Sequence, residues 1–185
     1  MDTDLLATAI AGFGERLALV GDEWGTATPC TDWDVRALVN HVVGELLWMP
    51  PLLEGQTIAE VGDRFDGDVL GGDALAVWRT ACADGIGAAT VPGAQEQVVH
   101  LSFGDFPGAD YLGQITSDLA IHTWDLARAL GADDRLDPDL VVFVDGFLSP
   151  QVDAWRSAGA FGSAVATAEG ADAQSRLLAN TGRTP

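Results

Sequence analysis

Two side chains that could share one metal ion lie four residues apart in this sequence, Asp118 and His122. The segment around them, Ala109 to Leu130, has apolar residues at helical spacing and is followed by Gly131, which predicts one long helix. On a helix, residues four apart lie one turn above the other, about 40° apart around the axis. A carboxylate and an imidazole placed in this way can both ligate one metal ion.

A third ligand must come from another part of the chain, and His41 is the best candidate. It lies in a second helical segment, which we expect to end at Pro50-Pro51 because proline cannot continue the hydrogen-bond ladder. His41 has apolar neighbours and is followed one turn later by Glu45, so it could equally be a buried histidine that pairs with Glu45. An ordinary amphipathic helix with a solvated polar face would also place Asp118 beside His122. Spacing alone leaves both interpretations open.

The composition narrows the class of protein. The chain has 185 residues, 48% of them hydrophobic, which predicts a single domain, 1–185, with a substantial core. It carries 28 acidic and 9 basic residues, and every basic residue is arginine. The absence of lysine excludes Schiff-base chemistry and a phosphate-binding lysine loop. A net charge of −19 disfavours nucleic acid and anionic membranes as partners, so we expect a small-molecule substrate.

The cysteines and the N-terminus carry further expectations. Cys30 and Cys82 form no CxxC pair, which argues against a disulfide framework or a thiolate zinc site, and Cys82 should pack in the core. The first twenty residues contain four charges and no signal-peptide pattern, and no run of 18 apolar residues occurs. We therefore expect a cytoplasmic protein.

The remaining pattern predicts an all-α protein with a short hairpin or strand. Helices are expected near 2–20, 32–49 with Thr31 as its cap, 73–89, 109–130, 137–155 with a break at Pro150, and 173–180. A short strand is expected within 95–103, where His100 is a lone ligand candidate but more simply a strand residue. The Gly- and Asp-rich segment 52–72 should be a loop with a short helix, which could cover a site or join a partner in a homodimer.

Two motifs resemble those of a known family. The stretch Thr28-Pro29-Cys30-Thr31-Asp32-Trp33-Asp34-Val35-Arg36-Ala37-Leu38-Val39-Asn40-His41-Val42-Val43-Gly44 is similar to the second-helix motif of the DinB-like metal-binding superfamily. The branch is the one related to the N-terminal domain of mycothiol-dependent maleylpyruvate isomerase. The stretch Asp118-x-x-x-His122-x-Trp124-Asp125-Leu126-Ala127 resembles the fourth-helix motif, and 172–183 resembles a short ending common in that branch.

The resemblance implies an up-down-down-up four-helix bundle with a C-terminal extension and a metal site near one end. Its ligands here would be His41, Asp118 and His122. In the isomerase a glutamate occupies the position of Asp118, so the shorter side chain should draw the metal nearer the helix or bind it through water. We expect zinc or nickel before manganese or iron.

The resemblance also implies two alternative functions. The first is a metal-dependent enzyme that uses mycothiol or another low-molecular-weight thiol on small electrophiles. The second is a non-catalytic metal-binding or regulatory module. The isomerase uses a separate C-terminal domain in addition, so maleylpyruvate isomerase activity itself is not implied.

Within that bundle Asp125 would share the helical face of Asp118 and His122. A metal-ligating imidazole normally donates its second ring N–H to an acceptor, and Asp125 could accept from His41 across the bundle more readily than from His122. Glu45 is a second candidate for such a supporting role. Alternatively Asp125 pairs with Arg128 on a solvated face, and this role is slightly favoured.

Overall fold

The structure is a computed structural model that describes residues 2–185. Within them the elements are α1 Thr3–Leu17, α2 Val35–Leu53, α3 Ile58–Val61, α4 Ala74–Ala89, β1 Val98–Leu101, β2 Gly104–Pro107, α5 Gly108–Leu130, α6 Pro138–Leu148, α7 Val152–Ser157 and α8 Ala173–Asn180. A single 3-10 turn, Glu23–Gly25, precedes α2. The predicted all-α class with a short hairpin is confirmed.

Helices α1, α2, α4 and α5 form the bundle, with contacts between α1 and α5, α5 and α2, α2 and α4, and α4 and α1. Phe13, near the end of α1, packs against Trp78, near the start of α4, with ring centroids 5.0 Å apart. Met49, near the end of α2, lies against Gly85, near the end of α4. Helices α2 and α4 therefore run in the same direction and opposite to α1, as the up-down-down-up order requires.

Helix α5 occupies the most buried place in the bundle. Its apolar stripe, from Leu112 to Leu126, is almost wholly excluded from solvent. A Cβ at Gly108 would lie 1.9 Å from the carbonyl oxygen of Ala94, so only glycine fits where the hairpin passes into α5. At the other end Gly131 caps the helix with a positive φ of 61°.

The bounds of α2 differ from those predicted at both ends. Asp34, rather than Thr31, caps the helix by accepting a hydrogen bond from the Ala37 N–H at 2.8 Å. At the other end Pro50 and Pro51 lie inside the last turn. They lack N–H groups, but their carbonyls still accept from the N–H groups of Glu54 and Gln56 at 3.0 Å, and the buried Leu52 and Leu53 hold the turn in place. Helix α2 therefore spans Val35–Leu53, whereas the sequence predicted 32–49.

Helix α1 ends at Leu17, three residues before its predicted end, and the remaining segments follow the sequence pattern. The segment 52–72 contains the short helix α3, the predicted strand becomes the β1–β2 hairpin, and the predicted fifth helix is split into α6 and α7. Helix α6 packs against α1, α5 and α8, which fastens the C-terminal part of the chain to the bundle. None of the helices in residues 2–185 is long and apolar enough to cross a membrane. The homodimer stays a prediction.

Candidate metal centre

Three side chains from two helices converge at one place in the bundle. His41 comes from α2, and Asp118 and His122 come from α5. The Nε2 atom of His41 lies 3.2 Å from Asp118 Oδ2, and the Nε2 atom of His122 lies 3.3 Å from Asp118 Oδ1. One ligand atom from each side chain lies within 4.8 Å of the others, close enough for all three to hold one ion.

The antiparallel packing of α2 against α5 brings these side chains together. Leu38 and Val42 flank His41 on α2 and are buried, as are Ile115 and Leu119 on α5. Because these apolar neighbours fix the register of the two helices, His41 has to face the turn of α5 that carries Asp118. Burial of the stripe thus positions the polar cluster.

The electrostatics of the cluster favour positive charge. Burial disfavours the ionised form of Asp118, but the adjacent His122 and His41 outweigh it and hold the pKa of Asp118 well below its usual range. Burial likewise opposes charge on His122, yet Asp118, and then Asp125, raise the pKa of His122 well above its usual value. The place between the two side chains therefore attracts a cation, whether a proton or a metal ion.

The second ring nitrogen of His122 is held by Asp125. His122 Nδ1 lies 2.9 Å from Asp125 Oδ2, and Asp125 is 0% exposed. Arg183, from the C-terminal tail, donates from Nη2 to Asp125 Oδ2 at 2.8 Å and from Nε to Oδ1 at 3.3 Å. Burial raises and these two partners lower the pKa of Asp125, and the net shift is downward. Asp125 is thus a buried anion between an imidazole and a guanidinium.

Asp125 has the predicted role of an acceptor for a clustered histidine, but its partner is the less favoured of the two considered. It contacts His122 on its own helix, not His41 across the bundle, because the i+3 side chain reaches the Nδ1 side of the ring. The solvated ion pair with Arg128 is also wrong, since Arg128 pairs with Asp134 at 3.1 Å instead. The charge of Asp125 is balanced by Arg183, which is 58 residues away in sequence.

Cys30, His122 and Asp125 form a second group whose ligand atoms lie within 4.8 Å. The Cys30 Sγ atom lies 3.2 Å from Asp125 Oδ2 and 3.4 Å from Arg183 Nη2. A cation at this place would sit beside a guanidinium that already neutralises the carboxylate. The group that contains His41 is therefore the better cation site. Cys30 lies beside His122 and contacts the Asp125 carboxylate that holds it.

Glu45 and Tyr111 line the same cavity as the cluster. His41 Nε2 contacts Asp118, and the alternative in which His41 pairs with Glu45 is not the contact that the structure shows. Burial, and then the charge of Asp118, raise the pKa of Glu45. The Tyr111 hydroxyl is buried with no hydrogen-bond partner among residues 2–185, and burial together with Glu45 raises its pKa well above the usual value.

The cluster opens into a cavity of about 870 Å³, within the size range of small-molecule sites. Besides Tyr111, five aromatic residues line it and are called here the aromatic wall: Trp33, Trp48, Phe103, Trp155 and Phe161. The Trp33 ring packs against both histidines, 4.7 Å from the centroid of His41 and 5.5 Å from that of His122. Composition and periodicity did not single out these residues, because their separate segments meet only in the fold.

The third histidine lies outside the cluster. His100 is in β1, and its Nδ1 lies 2.8 Å from Asp105 Oδ1 on the partner strand. It belongs to neither group of potential ligands among the described residues. The interpretation of His100 as a strand residue agrees with this position.

Comparison with known proteins gives the family. The sequence profile described as "Mycothiol maleylpyruvate isomerase N-terminal domain" matches residues 4–127, more than half of the chain. The chain belongs to this family. The match contains the three clustered residues and Asp125, whereas Arg183 and two members of the aromatic wall, Trp155 and Phe161, lie beyond it.

Two curated proteins from Mycobacterium tuberculosis are similar to this chain. They are "Uncharacterized protein Rv0738" of strain H37Rv and "Uncharacterized protein MT0763" of strain CDC 1551, each 37% identical over 125 residues. The matched stretch is 65% of this chain and 62% of each relative, so it spans less than two thirds of their length. No solved structure matches the chain.

The two cysteines should differ sharply in reactivity. Both are free, but Cys82 is buried in α4, and burial raises the pKa of its thiol to about 12, whereas Cys30 is half-buried and lines the cavity. At pH 8 we expect iodoacetamide to modify one thiol in the folded protein, Cys30, and both thiols after denaturation. Mass spectrometry of tryptic peptides measures this, and Cys30→Ser should leave the folded protein unmodified.

The raised pKa of Cys82 predicts that the stability of the folded protein depends on pH. The pKa of Cys82 in the folded chain exceeds the ordinary thiol value of 9.0, so its protonated form favours folding. That contribution is complete below pH 9 and is lost as the pH rises towards 12. Cys82→Ala should therefore flatten the decline of stability over this interval.

Equal alkylation of both thiols in the folded protein at pH 8 would contradict the burial of Cys82.

Proposed function

We propose that this protein is a metal-dependent enzyme that acts on a low-molecular-weight thiol, such as mycothiol, and a small electrophile. The observation that carries the proposal is a two-histidine, one-carboxylate cluster that opens into a cavity large enough for a small molecule. Sites that only stabilise a fold are usually closed by four protein ligands, whereas catalytic sites keep positions open. The chain belongs to a family whose description names a mycothiol maleylpyruvate isomerase.

The residues present fit a divalent ion. His41, Asp118 and His122 supply two nitrogens and one carboxylate, a set that suits zinc, nickel, iron and manganese. Asp125 accepts the Nδ1–H of His122, which fixes the tautomer with the Nε2 lone pair directed towards Asp118 and His41. We infer zinc or nickel before manganese or iron, because these two ions bind nitrogen ligands more tightly than the latter two.

The chain's own residues would share the work around that ion. A divalent ion at this place supplies Lewis-acid chemistry, which lowers the pKa of a bound thiol or polarises a carbonyl. Asp125 and Arg183 hold His122 in one orientation. The aromatic wall gives the cavity an apolar lining, and Trp33 packs against both imidazole rings. Glu45, whose pKa is raised by burial and by the charge of Asp118, lines the cavity one turn from His41, where it can donate or accept a proton.

Turnover tests the proposal. The purified protein, loaded with zinc or nickel, should show thiol-dependent consumption of electrophiles from a panel of S-conjugates and Michael acceptors. His41→Ala should lower the rate by at least about 100-fold, because an open two-ligand set holds metal poorly. His100→Ala is the matched control and should keep wild-type activity. Metal bound at the cluster without any thiol-dependent turnover would favour the non-catalytic binding module instead.

A further inference from the structure

We infer that the electrophile taken by this cavity is an uncharged apolar or aromatic molecule, not a carboxylate. The inference rests on the proposed function and names the class of its second substrate. It depends on three features of the cavity: the signs of its charges, the engagement of its one arginine and the position of its aromatic wall.

The charges that line the cavity are mostly negative. Asp32, Glu45 and Asp118 are acidic, and Arg183 is the one arginine among the described residues of the lining. His122, whose pKa is raised, lies 3.3 Å from the Asp118 carboxylate, which offsets its charge. The chain has no lysine, and its net charge of −19 disfavours the approach of anions from solution. A carboxylate in the substrate would need a cation within the cavity to offset the loss of water around it.

Arg183 is not free to supply that cation. Its guanidinium donates twice to Asp125, once to the Thr181 carbonyl at 3.0 Å and once to Cys30 Sγ. Its side chain is only 11% exposed, and its partner Asp125 is wholly buried, so the two charges cancel inside the protein. Turning Arg183 towards a substrate would leave the Asp125 carboxylate buried without its counter-charge.

The metal position does not supply a second cation either. A divalent ion beside the Asp118 carboxylate retains one positive charge, and a thiolate cosubstrate neutralises it. An electrophile that carries its own carboxylate would then face acidic groups, neutral groups and an arginine already paired with Asp125. The arrangement therefore selects against an anionic second substrate.

The aromatic wall offers apolar contact in place of charge. Phe103, at the turn of the hairpin, is 60% exposed and packs against Trp155 with ring centroids 5.8 Å apart. Trp155 in turn lies 6.4 Å from the Phe161 ring. When an apolar ligand covers an exposed phenylalanine at a cavity mouth, the burial of apolar surface favours binding. Trp155 and Phe161 lie beyond the matched residues 4–127, so the family match alone does not predict this part of the wall.

Ligand binding to the full-length protein tests the inference directly. The probes are two thioethers of N-acetylcysteine amide that differ at one position, with a para-methylbenzyl or a para-carboxybenzyl group. Binding is measured by quenching of tryptophan fluorescence and checked by calorimetry, on protein freed of metal with a chelator, because a thioether carries no thiolate to neutralise a bound ion. We expect the methyl probe to bind at least about 10-fold more tightly than the carboxylate probe, because an unpaired charge is costly to desolvate.

Two substitutions locate the effect. Phe103→Ala should weaken the methyl probe by about 3- to 10-fold through lost apolar contact, while Val142→Ala, at an exposed valine outside the lining, should not. Ser102→Lys places a cation at the exposed turn that lines the cavity. It should tighten the carboxylate probe by about 5- to 10-fold and leave the methyl probe unchanged.

The same measurements in His122→Ala separate this inference from the proposed function. Selectivity for the methyl probe should persist there, because it arises from the lining and not from the metal. Selectivity in a wild-type protein that shows no thiol-dependent turnover when loaded with metal would count against the enzyme proposal alone. Equal or tighter binding of the carboxylate probe, no binding of the methyl probe, or an unchanged preference in Ser102→Lys would overturn the inference.

Discussion

Replacing His122 with alanine should weaken metal binding by more than about 100-fold, since even groups that only support a ligand are worth about 10- to 100-fold. His122 supplies one of three ligand atoms and is almost wholly buried, so no solvent-exposed group can take its place. Metal content of protein purified without chelator, followed by competition with a chromogenic chelator, measures the change. His100→Ala should retain the wild-type affinity, because His100 pairs with Asp105 outside the cluster.

A shape-conserving variant guards this prediction against a folding defect. Asp118→Asn keeps the volume of the side chain and removes the negative charge that contacts both imidazoles. It should also lose metal, while circular dichroism and the thermal transition stay close to those of a folded bundle. Wild-type metal content in both His122→Ala and Asp118→Asn would rule out this cluster as the metal site.

Much of the architecture could be predicted from the sequence because apolar spacing decides it. Helices α4, α5 and α8 begin and end within about two residues of their predicted bounds, since Asp73, Gly131 and Asp172 mark those ends unambiguously. The start of α2 was harder, because Thr31 and Asp34 are both good capping residues. A bridge between Ala27 and Asp34 holds the intervening residues as a loop, and this contact has no signal in the sequence.

The centre of the candidate site was predictable and its support was not. The spacing of Asp118 and His122 on one helix, with His41 on another, indicated the cluster that the structure brings together. The pair of Asp125 and Arg183 joins residues 58 positions apart, across a tail that bends back over the bundle. No periodicity encodes such a contact. Nearby Arg128 gave a simpler but wrong partner.

Substituting Asp125 with asparagine should weaken metal binding by about 10- to 100-fold while the bundle remains folded. The amide can still contact His122, but it no longer holds the imidazole by a charged hydrogen bond. It also leaves Arg183 without its buried counter-charge, which should lower the free energy of unfolding by about 1–3 kcal/mol. Asp134→Asn is the matched control, because its pair with Arg128 is partly exposed and should contribute less than about 1 kcal/mol.

The loss of metal affinity and the loss of stability in Asp125→Asn arise from different partners of Asp125, so they can be separated. The loss of stability acts through Arg183, whereas the loss of affinity acts through His122. Adding Arg183→Met to Asp125→Asn removes the unpaired guanidinium, so stability should recover while metal affinity stays low. Chelator competition and urea unfolding on the two variants supply both numbers. If affinity recovered together with stability, Asp125 would act on the metal only through the integrity of the fold, and its role in orienting His122 would have to be abandoned.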